Sequence, residues 1–192
     1  MEDYFMLIIS AIFVNNILLI KFLGNCPFIG VSSSMDSATG MSAACIFVNV
    51  LASSMCWIVQ KYVLEPLSIE YIQTLAFILI IAGLVQLVEI ILQKVAPPLY
   101  RALGIYLPLI TTNCMIFGVA VLNIRQEHTF MESVVYSIGT ALGFSMALIL
   151  LAGIRERFIV GKIPKLMDGF PIGLIAAGMM GLSFYGLTGI GK

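Results

Sequence analysis

In this chain of 192 residues, 60% are hydrophobic and 10% charged, and the mean hydropathy is +1.07, a balance that excludes an ordinary soluble domain and reads as a polytopic membrane protein. Ten basic residues offset ten acidic ones, and without a run of like charge neither nucleic acid nor a polybasic attachment to a membrane surface is supported.

A helix needs roughly 20 apolar residues to cross a bilayer, and runs of that kind fall at Tyr4–Gly24, Ala38–Gln60, Tyr71–Gln93, Arg101–Asn123, Glu132–Ile154 and Phe170–Ile190. The first does not read as a cleavable signal, because Glu2 and Asp3 stand where a basic n-region is expected. It carries Asn15 and Asn16 near its middle, which must bond to a neighbouring helix or line a polar path. Lys21 lies toward its cytoplasmic end, where snorkelling is expected. N-C-P-F-I-G-V then occupies Asn25 to Val31.

The second run holds Cys45 and Cys56, which read as small structural fillers of an apolar interior. The third ends near Glu89, a snorkelling carboxylate or an ion-handling group. The fourth contains N-C-M-I-F-G-V from Asn113 to Val119, so that N-C-x-x-x-G-V occurs twice, 88 residues apart. His128, the only histidine, falls in a short loop with Arg125 and Glu127 and reads as solvated. The fifth run contains G-T-A-L-G, whose Gly139 and Gly143 fit the small-xxx-small pattern of close helix contact. The methionines are scattered without helical spacing, which suits gap filling better than a copper path.

The expected fold is therefore all-α, with six transmembrane helices in one domain spanning 1–192. The longest connection, Arg155 to Gly169, leaves no room for a soluble domain, and the continuous runs do not suit short, alternating barrel strands. Lys21, Lys94, Arg101, Arg155, Arg157, Lys162 and Lys165 fall on one side, against Lys61, Arg125 and Lys192 on the other, which puts both termini outside by the positive-inside rule.

Each half, 1–96 and 97–192, makes three crossings, so the halves run in opposite directions as an inverted repeat. Paired sites in such folds approach a pseudo-two-fold axis near the midplane, where helices are broken. Gly24 and Pro27 flank Cys26, and Pro108, Thr111-Thr112-Asn113 and Gly118 surround Cys114, so both cysteines are expected at helix interruptions.

Cys26 and Cys114 are the candidate metal and cofactor ligands. A disulfide between them stays open on sequence alone, although a pair facing a reducing cytosol gains little from one. Two thiolates complete neither a tetrahedral zinc site nor an iron–sulfur cluster, so the remaining ligands must come from elsewhere, and a second chain with the same doubled motif would supply two. No Ser-His-Asp set, phosphate-cradling loop, zinc-protease helix or dinucleotide fingerprint is present. An electron carrier fits better than a self-sufficient enzyme; the competing class is a non-redox carrier or scaffold.

The runs V-N-N-I-L-L-I-K-F-L-G-N-C-P-F-I-G-V-S (Val14 to Ser32), L-G-I-Y-L-P-L-I-T-T-N-C-M-I-F-G-V-A-V-L-N (Leu103 to Asn123) and I-R-E-R (Ile154 to Arg157) resemble the membrane proteins that include the A component of the Rnf complex and the E component of the sodium-pumping NADH:quinone oxidoreductase. Asn15 and C-P-F favour the Rnf side. The resemblance implies a bacterial inner-membrane component of an ion-translocating ferredoxin:NAD oxidoreductase, with sodium ions or protons moved outward. It further implies that Cys26 and Cys114 hold half of an intramembrane [2Fe-2S] cluster. Two cysteines of a homologous partner of opposite topology, the E component of the Rnf complex, would complete it. The B, C, D and G components, carrying other clusters and flavins, are the further partners.

Overall fold

The structure, a computed structural model, describes residues 2–67, 70–95, 107–161 and 169–188. Arg101, Lys162, Lys165 and Lys192, on which part of the orientation argument rests, lie outside the described residues, as do the start of the fourth expected span and the end of the sixth.

Every described element is helical. The principal α-helices in chain order are α1 (Glu2–Ile9), α2 (Asn25–Val31), α3 (Met35–Val59), α4 (Gln73–Val95), α5 (Leu107–Thr111), α6 (Cys114–Arg125), α7 (Phe130–Val160) and α8 (Phe170–Thr188). Short helical turns at Gln60–Leu64, Glu65–Leu67 and Glu70–Ile72 lie between α3 and α4. Among the described residues, four stretches are long and apolar enough to cross a membrane, at Met35–Leu64, Gln73–Ile91, Pro108–Arg125 and Phe130–Phe158, and two shorter apolar ones lie at Tyr4–Val14 and Phe170–Gly186.

The first expected span is not one continuous helix. α1 passes into a π-helical turn at Ser10–Val14 and stops, because Asn16 replaces backbone hydrogen bonds with its own. Its Nδ2 donates to the Ile12 carbonyl at 3.0 Å, and its Oδ1 accepts from the N–H groups of Leu18 and Leu19 at 3.1 and 3.3 Å. An asparagine that satisfies both the last carbonyl behind it and the next amides ahead ends a helix without leaving buried groups unpaired. The chain then turns through residues 15–24, with Phe22 and Gly24 at positive φ, before α2 begins.

The core forms where α3 and α7 make the most extensive contact of the bundle, with α6 packed on α3. Met41, Cys45, Val48, Ala52 and Cys56 form one buried stripe on α3, at three- and four-residue spacing, facing Phe144, Leu148 and Leu151 of α7 across the same cluster. Small residues along this seam let the two backbones approach. Cys45 and Cys56 are buried here, 0% and 1% exposed. The outer faces carry Phe5, Leu79 and Leu182 exposed, as a lipid-facing bundle requires.

α7 begins with a full capping box: the Thr129 side chain accepts from the Glu132 N–H while Glu132 returns to the Thr129 N–H. On its face toward α1, a Cβ at Gly139 would lie 3.2 Å from Ala11 Cβ and 3.3 Å from Ile8 Cα, and one at Gly143 would lie 3.1 Å from Asn16 Nδ2 and 3.2 Å from Ile12 Cα. Here the small-xxx-small pair makes backbone-to-backbone contact. Replacing Gly143 by leucine is expected to force α1 outward and cost about 1–3 kcal/mol, read as a lowered thermal unfolding midpoint; an unchanged midpoint would refute the contact.

Candidate functional site

Each copy of N-C-x-x-x-G-V touches the residues that flank the other. In the first, Gly24 takes φ +92° as the residue before α2, and Cys26 is the second residue of that helix. In the second, Asn113 caps α6 and Cys114 is its first residue. The Gly24 N–H donates to Cys114 Sγ at 2.9 Å, so a backbone group of one half holds the thiol of the other. Each motif glycine also faces the opposite half: a Cβ on Gly118 would run into Leu23, and one on Gly30 would lie 3.7 Å from Leu109. Cys26 and Cys114 are both exposed at the surface of this chain, in contrast to Cys45 and Cys56.

Each motif is tied to the bundle by side chains whose partners the sequence did not reveal. Asn113 is 2% exposed; its Oδ1 accepts from the Met115 N–H at 3.0 Å and its Nδ2 donates to Cys45 Sγ at 3.7 Å. The buried thiol thus steers the cap that positions Cys114. Beneath Gly24 lies the Phe144 ring, which leaves no room for a side chain. At the far end of α2, Arg155 donates from Nη1 to the Ile29 carbonyl and to Ser32 Oγ, both at 2.8 Å. A guanidinium on the last carbonyls anchors this short helix to α7. The sequence signal for Gly24 was its place two residues before the cysteine, and for Arg155 the I-R-E-R run.

Asn15 and Asn16 divide their roles. Asn16 is buried and also donates to the Gly143 carbonyl at 3.0 Å, which is interhelical bonding. Asn15 bonds Ser10 Oγ at 3.2 Å and lines a cavity of about 190 Å³ with Lys21, Gln126 and His128. This corrects the placement of Lys21. Because the chain turns at Asn16 rather than continuing as a helix, Lys21 sits with the α6–α7 connection and not in the group of Lys94, Arg155 and Arg157. Glu89 is half-buried on α4.

His128 is likewise more than a solvated loop residue. Its Nδ1 lies 3.1 Å from Asn123 Oδ1, its carbonyl accepts from Trp57 Nε1 at 2.9 Å, and its ring packs edge-on to Tyr136 with centroids 5.3 Å apart. Burial holds the imidazole below its ordinary pKa, against the opposing pull of the Glu132 carboxylate. His128 helps line a cavity of about 600 Å³ at the ends of α3 and α6.

Beside Cys114 a third, mostly apolar cavity of about 450 Å³ lies between α4 and the α5–α6 break, lined by Ile78, Ile81, Thr112 and Phe117 among others. Among the described residues, no group of three or more His, Cys, Asp or Glu side chains converges as a metal site. What the chain offers at the motif is two exposed thiols, one already receiving an N–H bond. That donor chemistry fits a thiolate-held cluster whose other ligands come from outside the chain.

Residues 4–191 match the Rnf-Nqr family, whose description is of a membrane protein, the Rnf-Nqr subunit. The chain is 54% identical over 184 residues to the A component of the Na(+)-translocating ferredoxin:NAD(+) oxidoreductase complex of Acetobacterium woodii, covering 96% of each chain. It is 51% and 50% identical to the A components of the ion-translocating oxidoreductase complexes of Proteus mirabilis and Vibrio vulnificus, over 192 residues and the full length of each.

Proposed function

This chain belongs to the Rnf-Nqr family, as a membrane component of an ion-translocating oxidoreductase complex, and from that premise we propose that Cys26 and Cys114 hold one side of a [2Fe-2S] cluster. Two thiols of a homologous partner of opposite topology, the E component of such a complex, complete the site, in the bacterial cytoplasmic membrane. The observation that supports the reading is the Gly24 N–H to Cys114 Sγ bond, which joins the residue before the first motif to the cysteine of the second while both motif cysteines stay exposed on the surface of this chain.

A cluster held there supplies one-electron transfer between donors and acceptors on other components of the complex. This chain's residues do the holding. Asn113 and the α6 N-terminus orient Cys114, Arg155 anchors the helix that bears Cys26, and the Gly24 N–H adjusts the electron density on sulfur, one of the levers that set a cluster's potential. Residues on either side of the expected repeat boundary, Gly24 and Cys114, are bonded at the same point. Negative charge added to a cluster held there would favour entry of a sodium ion or proton and would bias the chain toward one-sided access.

The test is electron paramagnetic resonance and iron analysis of the purified complex. The expected result is a [2Fe-2S] signal that requires both this chain and its homologous partner. Stoichiometric iron on this chain alone would overturn the shared site, and no such signal in the intact complex would overturn the cluster.

A further inference from the structure

A second polar feature lies along α3, α6 and α7. Asn49 Nδ2 donates to the Ser137 carbonyl at 2.9 Å, and Ser137 Oγ donates to the Ser133 carbonyl at 2.6 Å. Asn123 Nδ2 donates to Ser53 Oγ at 2.6 Å and to Ser137 Oγ at 3.3 Å. Asn123 and His128, joined through Oδ1 and Nδ1, open onto the cavity of about 600 Å³, whose wall also holds Gln60. These contacts make one continuous seam from that cavity to the middle of α3.

Three oxygens along the seam and at its mouth are buried with no hydrogen-bond partner: Asn49 Oδ1, Gln60 Oε1 and Ser133 Oγ. Their residues are 0%, 6% and 0% exposed. Buried polar atoms left unpaired are costly and rare, and they mark places where water or an ion completes the set. The imbalance also has a sign. The Asn49 and Asn123 amides donate to carbonyl and hydroxyl oxygens, and the Trp57 indole N–H is taken by the His128 carbonyl. Two of the unused atoms, Asn49 Oδ1 and Gln60 Oε1, are amide oxygens that can only accept, which suits a hard cation and its water rather than an anion; the third, Ser133 Oγ, can accept or donate. At the mouth, Lys61 and Glu65 offset each other at 3.3 Å, and Glu127 adds negative charge.

We propose that this seam is a binding path for an alkali cation carrying part of its water, entered from the cavity beside Gln60 and His128. The proposal rests on the reading of the chain as part of an ion-translocating complex. The inner end of the seam has a particular address: Asn49 lies one helical turn from Cys45, the thiol that accepts from Asn113 beside Cys114. A cation reaching Asn49 is thus within two side chains of the motif where the electron is held.

The test uses the assembled complex in proteoliposomes, with Na+ as the probe. Gln60→Leu combined with Ser133→Ala removes two of the unpaired oxygens. The Na+ concentration for half-maximal ferredoxin-dependent NAD reduction is expected to rise at least about tenfold, as loss of bonding oxygens demands, with ²²Na+ uptake falling in parallel. Activity at saturating Na+ and the cluster signal should be retained. Ser133→Ala alone, a one-atom change that leaves assembly intact, is expected to shift the same midpoint about threefold. An unchanged Na+ requirement with a raised unfolding midpoint would show the oxygens to be dry, and would overturn the proposal. So would indifference of the unaltered complex to Na+. Absence of the cluster signal from the unaltered complex is a separate result, which strikes the cysteine reading instead.

Discussion

Replacing Cys114 by alanine in the assembled complex is expected to lower ferredoxin-to-NAD electron transfer by more than about 100-fold, beyond the 10–100-fold that losing an outer-shell partner of a metal site brings. The same change should erase the cluster signal, and Cys26→Ala should behave alike. The loss in Cys26→Ala will not reflect unfolding. Both thiols are exposed; truncating Cys26 to alanine costs about 0.5 kcal/mol or less, whereas Cys114→Ala also leaves the Gly24 N–H without its acceptor, about 1–3 kcal/mol. Cys26→Ala is therefore the variant in which lost activity is separated from lost stability. Cys56→Ala is the control: that residue is buried between α3 and α7 and has no part in the motif, so a modest cavity cost with retained signal is expected. Normal turnover and normal ion transport in the Cys114 variant would end the relay proposal.

The second large effect is expected at Gly24. Its φ of +92° costs an L side chain about 1–2 kcal/mol. Alanine's Cβ would also lie 2.9 Å from Phe144 Cε2 and 3.1 Å from Met115 Cβ, an overpacking that adds about 1–3 kcal/mol. Relief by a backbone shift would move the N–H away from Cys114 Sγ. Gly24→Ala should therefore lower the unfolding midpoint and shift the reduction potential of the proposed cluster together. Adding Phe144→Leu makes room for the methyl but leaves the φ penalty, so it should restore part of the stability. A Gly24→Ala complex with the parent's midpoint and potential would show that this amide does not serve the sulfur.

Much of this arrangement is legible in the sequence. A motif repeated 88 residues apart, each copy beside Pro, Gly or Asn, announced interrupted helices, and the structure breaks the chain before Asn25 and at Thr112–Asn113. Proline and positive-φ glycine act on their own backbone, so their effect is readable in place. Gly139 and Gly143 were readable for a similar reason, since the lack of a side chain permits close approach whatever the partner.

Other features depended on partners distant in sequence. Asn16 ends α1 because the Gly143 carbonyl, 127 residues away, fixes its amide; read locally, the run to Gly24 is a good membrane helix, and Lys21 follows it to the wrong end. His128 looked solvated until Trp57, Asn123 and Tyr136 closed around it. Cys45 looked inert, and it is buried, but only the packing of α3 on α6 sets its sulfur against Asn113. Composition and local chemistry determined by themselves that the chain is a helical membrane protein with two broken segments bearing thiols. Which groups meet at those breaks was decided by tertiary structure alone, because a hydrogen bond between halves depends on how they pack, and no stretch of one half encodes the position of the other.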